Sequence, residues 1–583
     1  MPLFDRPLAK TPSATVPSAT DPPAALLLGP LLRHVGSTDA TIWVETTRPA
    51  LVEVCSGPLR AAERTFRVAG HHYALVIIEG LDPGSRTPYE VRLDGRVVWP
   101  TAGSPYPPST IATVDPTAPF RLLFGSCRSP LMVPDEGATR SGEDVLAAYA
   151  RSLVHRPRAD WPNALLLLGD QVYADETSPE TQAFIRARRG VRRPPHLQVA
   201  DFEEYTRLYA EAWSDPDVRW LLSTIPSSMI FDDHDVLDDW NTSRSWRAEM
   251  ATKPWWSERI TGALMSYWLY QHLGNLSPEG LRSDALYGKI RAASDGEPLL
   301  REFAKLADRE ADGGPAAMWS YRRDFGNVRL LVIDSRAGRV LTEGARLMVG
   351  EREFEWIERQ VEDGPFEHLL IGTSVPWLLP RALHDVEALD EDLCSGRRGR
   401  LVAWLGERLR RAVDLEHWAA FRESFDGLAR LIGHVARGAH GAPAPATICI
   451  LSGDVHHTYA SEAVYPYPIA SRVFQLTCSP LHNTIPRPMR LVFTASWSRL
   501  AQRLVGVLSR AAGVPAVSID WRTSAGPFFG NLLGQLDLAG PSAVFSLRHA
   551  EHEGSVARAA LVPDGTWALA APSAALEPQV VAS

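Results

Sequence analysis

The feature that most limits what this chain can fold into is a series of short apolar runs, each ending on polar residues. FRLLFG begins at Phe120, ALLLLG at Ala164, SSMIF at Ser227, VRLLVI at Val328, HLLIGT at His368, TICILS at Thr447 and VFQLTC at Val473. A strand that is apolar at successive positions has to be covered on both faces, as in a sheet lying between helices. Helix-favouring stretches fall between the runs, at 142–153, 351–362 and 401–413. This alternation predicts an α/β domain. A Trp-rich, helix-favouring stretch around 245–312 is too long for a simple connection and reads as an insertion.

The chain before these runs has a different pattern. ATIWVET, ALVEVC, TFRV, YALVIIEG and YEVRLDGRVVW are β-rich segments separated by turn residues, and Asp94-Gly95 suits a hairpin turn. So many strands in so short a span suggest a small all-β sandwich over residues 25–103. The segment LDPGSRTPY, from Leu81 to Tyr89, resembles the Leu-x-Pro-Gly…Tyr corner of fibronectin type III domains. A polar, Pro-rich tail (1–24) would precede the sandwich. A Pro/Ser/Thr linker (104–119) would lead into the α/β domain, taken as 118–575. A chain of 583 residues is long enough to need more than one core.

Composition removes several classes of function. The formal charge of −9 does not fit a general nucleic-acid binder, which needs a basic surface. Five scattered cysteines with no C-x-x-C predict neither a disulfide framework nor a zinc knuckle, and suit a reducing compartment. The first 24 residues carry no apolar core and no twin arginine, so a cytoplasmic location is the expectation. No run of 18 apolar residues is present, so no transmembrane span is expected. The Arg cluster at 186–193 reads as a solvated loop.

The chemistry is concentrated where the apolar runs end. Ser126-Cys127-Arg128 follows the first; Asp170, Tyr173 and Asp175 follow the second; Asp232-Asp233-His234-Asp235 follows the third. Asp334 and Arg336 follow VRLLVI, and Gly453, Asp454, His456 and His457 follow TICILS. Ligands of open α/β sheets bind at the carboxyl ends of the strands, so these groups are expected to converge on one edge. Unpaired buried carboxylates cost several kcal/mol each. They must protonate or be held together by cations. The motifs supply few cationic side chains, chiefly Arg128 and Arg336, so charge balance looks incomplete and bound metal is the simpler answer. Each motif also has a structural alternative: DDHD as a helix N-cap, Cys127 as a small core residue, His457 as a surface histidine, Arg336 as an ion-pair partner of Asp334.

Taken together, GSCRSP, GDQVYAD, DDHD, DSRAGR, GDVHH and CSPLHN resemble the PhoD-like alkaline phosphatases of the calcineurin-like metallophosphoesterase superfamily, over about residues 120–485. The superfamily's first Asp position is Cys127 here, Asp233-His234-Asp235 stands for Asn-His-Glu, Ser374 for an isolated His, and the run Asp454 to His456 for His-x-His. The resemblance implies a four-layer α/β sandwich with two central mixed sheets. It also implies a metal site with Asp170 bridging, Cys127, Tyr173 and His456 on one side, and Asp233 and Asp454 on the other. His234 would contact the substrate or the leaving-group oxygen, with Arg128, Arg336 and His457 as further substrate-binding candidates. The activity implied is hydrolysis of small-molecule or polymeric phosphate esters, monoesters or diesters, by a metal-bound hydroxide attacking phosphorus. Thiolate and phenolate suit iron, and an all-oxygen site suits calcium or manganese. Two rival readings make Cys127 a covalent nucleophile, or make the chain a degenerate phosphatase scaffold that binds a partner. The run RLVFTASWSRLAQRLVGVLSRAAG after Pro486 is amphipathic and Arg-bearing. It could lie on a membrane surface. A helix packed over the sheet or the active-site edge is the preferred expectation, with strands following it.

Overall fold

The computed structural model describes residues 22–130, 143–309, 317–438, 442–483, 485, 487–551 and 560–570. Most of the expected N-terminal tail, the last residues of the insertion and the end of the second domain lie outside them.

Every apolar run is a strand, and the runs sort into two sheets. In one, Phe120–Gly125 is parallel to Ala164–Leu168, which is parallel to Ser227–Ile230. Three antiparallel strands extend it: Leu532–Ala539, Ser542–Glu551 and Ala560–Ala570. In the other, Val328–Ile333, His368–Thr373, Thr447–Ser452 and Arg472–Thr477 are parallel neighbours. Antiparallel strands flank that run, Tyr321–Phe325 on one side and Thr458–Val464 and Asp520–Phe528 on the other. Leu166 and Leu168 of the first sheet lie against Gly372 of the second, where an added Cβ would come within 3.2–3.3 Å of their methyls. The two mixed sheets therefore face each other, which explains why their strands are apolar throughout.

The predicted helices form at Val145–Leu153, Glu351–Glu362 and Arg400–Ala412. The insertion is helical, from Arg244–Ala251 to Glu297–Arg309, with one π-helical segment at Tyr267–His272. Asp232–Asp235 caps no helix: the chain turns there, and the next helix starts only at Arg244. The Arg cluster starts in a helix end, Pro179–Arg188, and runs on into a loop where Arg192 and Arg193 are exposed as expected, while Arg188 and Arg189 are held in ion pairs. Arg189 lies 2.7 Å from the fully buried Glu204 carboxylate, which also holds Arg188 at 3.0 Å. Burial of Glu204 requires such partners.

The N-terminal region consists of two antiparallel sheets. Asp39–Thr46 and His71–Glu79 pair in one, Leu51–Ser56 and Arg86–Leu93 in the other. Asp94 and Gly95 both have positive φ, as a tight hairpin turn requires. This region is tied closely to the larger α/β body. Tyr89 of the expected corner donates to the Ser223 carbonyl at 2.6 Å, outside the sandwich. Arg33 is fully buried and donates to the Gln271 carbonyl in the insertion at 2.7 Å. Trp43, Tyr73 and Leu75 belong to the same apolar core as the first sheet.

Candidate active site

The site forms where the carboxyl ends of the parallel strands in both sheets turn sharply. Cys127, Asp170, Asp454 and His456 all have positive φ, between 48° and 68°. Non-glycine residues adopt that region at a cost, and it recurs where side chains must be aimed at a shared point. The glycines before two of them are needed for close approach. A Cβ on Gly169 would lie 2.4 Å from the Asp232 Cβ, and one on Gly453 would lie 2.0 Å from the Ser126 Oγ. Main-chain bonds stitch the turns together. Cys127 N–H donates to Gly169 O at 3.3 Å, Arg128 N–H to Asp170 O at 3.1 Å, and Gly453 N–H to Ser374 O at 2.9 Å. The Asp235 carboxylate accepts from the Asp170 and Asp232 N–H groups, both at 2.9 Å, and so fastens the GD turn to the DDHD turn.

Convergence brings Asp170, Asp232, Asp233 and Asp454 together, with one oxygen from each lying within 4.8 Å of the others; Asp170, Asp233 and His234 form an overlapping group. Asp170 Oδ1, Asp232 Oδ2 and Asp233 Oδ1 are buried and have no hydrogen-bond donor among the described residues. Burial, with neighbouring carboxylates adding to it, pushes the Asp170 carboxyl well above the usual range. Burial likewise raises Asp233, with Arg336 and His234 opposing. Cys127 Sγ lies 3.2 Å and Tyr173 OH 3.5 Å from Asp170 Oδ2. Unpartnered anionic oxygens beside a thiol and a phenol form a donor set that a cation would satisfy.

The cationic groups are more numerous than the motifs suggest. Arg336 is fully buried. Its guanidinium pairs with Asp232, with Glu416 at 2.5 Å, and with Asp233 at 3.4 Å. It is not the ion-pair partner of Asp334, whose carboxylate instead accepts from the backbone N–H groups of Arg336, Ala337 and Gly338 at 2.8–3.0 Å. Arg339 holds the other Glu416 oxygen at 3.2 Å. His417, which carries no motif, places Nε2 3.1 Å from Asp454 and Nδ1 2.6 Å from Glu387. Burial opposes a proton on His417, but Glu387 and Asp454 outweigh it and raise its pKa well above the ordinary value. Asp454 is held low in turn, chiefly by His417 and Arg336 against the burial penalty. Charge balance is therefore largely met around Asp454 and Glu416, is partly met at Asp233 through Arg336, and is left open at Asp170.

His234 stacks on Tyr173 at 4.7 Å between ring centroids and sets Nδ1 3.0 Å from both Asp175 oxygens. Burial disfavours its charge, yet Asp175 and Asp233 raise its pKa far above the ordinary value. His456 is half-buried between Asp454 and His234, and burial lowers its pKa to about 4. Such a ring is neutral and free to act as a ligand.

The remaining candidates stand further out. Arg128 is bound to Asp144 at 2.5 Å and to the Ala212 carbonyl. It lines a cavity of about 210 Å³ with Tyr173, Gln171 and His482. His457 is fully buried, not at the surface. Its Nδ1 lies 2.7 Å from Val455 O, and its ring packs among Tyr459, Phe493 and Phe529. Asn483, from CSPLHN, donates to Tyr173 OH at 3.1 Å. The thiol of Cys127 is pushed well up by burial and by Asp170 and Asp454. A covalent nucleophile needs the opposite.

Residues 23–111 match a family described as a domain of unknown function (DUF7800), and residues 141–505 match the PhoD-like phosphatase family. A search among curated proteins gives no match. The chain is similar to the solved structure of PhoD, with a TM-score of 0.56, 12% identity and coverage of 94% of this chain and 91% of that one. A maltogenic amylase from S. marinus and a type III pullulan hydrolase from Thermococcus kodakarensis align at a TM-score of only 0.14 and 10% identity, over 89% and 93% of this chain and 76% and 98% of theirs. The family match spans more than half of the chain, and the chain belongs to the PhoD-like phosphatases, enzymes of the metal-dependent phosphoesterase class.

Proposed function

We propose that this enzyme hydrolyses phosphate esters at a site holding two cations side by side. The observation that carries this reading is the group of buried Asp170, Asp232 and Asp233 with half-buried Asp454, whose oxygens gather within 4.8 Å and include three without a donor among the described residues. Asp170 would stand between the two cations. Cys127, Tyr173 and His456 would complete one side, which suits iron, and Asp233 and Asp454 the other, which suits calcium or manganese. Bound cations would supply an activated water at neutral pH and neutralise charge on the phosphoryl oxygens.

The chain's own residues then have separable tasks. Asp175 holds the His234 ring and keeps its proton, so that Nε2 can donate to the departing ester oxygen. Arg336 fixes Asp232, Asp233 and Glu416 in place, and His417 orients Asp454. The wall formed by Arg128, Tyr173 and His482 offers room for the alcohol portion of the ester.

Metal analysis of the purified protein, with assays on p-nitrophenyl phosphate and bis(p-nitrophenyl) phosphate, tests the proposal. Bound metal and hydrolysis of at least one ester are expected, and both should be lost in Asp170→Ala. Wild-type metal content and turnover in that variant would overturn it.

A further inference from the structure

Two helices of this protein are folded inside out. Arg400–Ala412 turns Val402, Ala403 and the small Gly406 toward the helix Arg381–Cys394, where a Cβ on Gly406 would come within 2.8 Å of Cys394 Sγ. The opposite face carries Leu401, Trp404, Leu405 and Leu409, with Leu401 69% and Trp404 51% exposed. Arg499–Ala511 packs on the same helix through Val505, Gly506 and Ser509, whose Oγ donates to Asp385 O at 3.2 Å. It presents Leu500, Leu504 and Leu508 to the outside, at 68%, 57% and 60% exposure. The Arg398 guanidinium donates to the Ala512 carbonyl, which joins the start of one helix to the end of the other.

A helix at a protein surface normally buries its apolar stripe. Here both stripes are left outward, on helices that share one support. Exposed apolar stripes of this kind mark an interaction site. Charge identifies the partner. The chain carries a formal charge of −9, yet Arg499–Ala511 contains only basic charges, and Arg400, Arg408, Arg499 and Arg503 are all exposed around the leucines. Arg408 lies 4.7 Å over the Trp404 ring. Apolar stripes bordered by arginine and tryptophan are the pattern of helices that lie in the headgroup layer of a bilayer. A second copy fits less well, because a two-fold pairing of this face would set its arginines against themselves.

We infer that this face docks on an anionic lipid surface, the leucines and Trp404 entering the acyl boundary and the arginines meeting headgroup phosphates. The surface adjoins the catalytic edge. The supporting helix carries Glu387, the partner of His417, and the neighbouring helix Arg487–Ser496 places Phe493 4.9 Å from His457. The inference does not depend on which ester is hydrolysed or on the metals bound.

Co-sedimentation of the full chain with phosphatidylcholine vesicles, with and without phosphatidylglycerol, tests it. Binding is expected with phosphatidylglycerol and should weaken with added salt. Leu504→Glu/Leu508→Glu should lower the partition by more than about tenfold. Arg400→Glu/Arg503→Glu should remove the preference for phosphatidylglycerol. Because all four side chains are exposed, the thermal midpoint of each variant should stay at the wild-type value, which separates lost docking from misfolding. Two outcomes would overturn the inference: no sedimentation of folded wild-type protein with phosphatidylglycerol vesicles, or a dimer by light scattering that the same leucine substitutions dissociate.

Discussion

Asp175 grips the ring of His234, with both carboxylate oxygens 3.0 Å from Nδ1, although the two residues reach the site from the ends of different strands. The pairing orients the ring, sets Nε2 3.9 Å from Asp238 Oδ1 and favours the protonated form. Asp175→Asn should keep the ring in place while removing the charge that raises its pKa. Turnover of p-nitrophenyl phosphate is expected to fall by about 10- to 1000-fold, with the alkaline limb of the pH profile moving to lower pH. An unchanged profile would separate His234 from proton transfer.

Arg336 is the cation around which the acidic residues are built. Replacing it with Met would leave Asp232 and Glu416 charged, buried and without their main partner. Breaking a buried ion pair from one side costs about 3–5 kcal/mol. Denaturant unfolding of Arg336→Met should show a loss of that size, and Arg336→Lys should restore only part of it, since an ammonium cannot span Asp232, Asp233 and Glu416 together.

His417 and Glu387 act on the site through Asp454. In Glu387→Gln the histidine loses the partner that favours its proton, and Asp454 loses part of the field that holds it ionised. Partners of metal-ligating groups are commonly worth about 10- to 100-fold in metal affinity. Metal titration of the stripped protein should show a weakening in this range. Affinity equal to wild type would mean that Asp454 is oriented without them.

The N-terminal sandwich is joined to the larger body by a titratable contact. His71 Nδ1 lies 2.7 Å from Glu45 in the sandwich and Nε2 lies 3.0 Å from Glu203 on the helix Phe202–Trp213. Burial would lower its pKa, but the bonds to Glu203 and Glu45 outweigh this and raise it to about 9. Since the folded value exceeds the unfolded one, the stabilisation is complete below about pH 6.5 and is lost as pH rises through 9. Unfolding free energy should fall across that window by an amount of the order of 3 kcal/mol, and His71→Gln should flatten the dependence. A wild-type curve no steeper than the variant's would remove His71 as the cause.

Much of this was legible in the chain itself. An apolar strand followed at once by a polar turn is a local pattern, because strand burial and turn chemistry are set by neighbouring residues. The strands from Phe120 to Thr477 and the turns bearing Cys127, Asp170, Asp233 and Asp454 were therefore readable in order. His417 and Glu387 were not, since each lies in or beside a helix, away from the strand-end turns, and reaches Asp454 only through packing. Nor were the partners of Arg336, whose nearest acid in sequence, Asp334, is occupied with backbone N–H groups while the guanidinium reaches across to Asp232 and Glu416.

The sequence by itself determined which strands end in polar turns and in what order those turns follow, since alternation of strand, acidic turn and helix admits few other arrangements. Only the tertiary structure decided which charges meet which. Ion pairing and desolvation depend on distance in space and on what excludes water, and neither is written in the spacing of residues along the chain. It also decided that the stripes led by Leu401 and Leu500 face outward: amphipathic periodicity marks a face, but only the packed neighbours fix its direction.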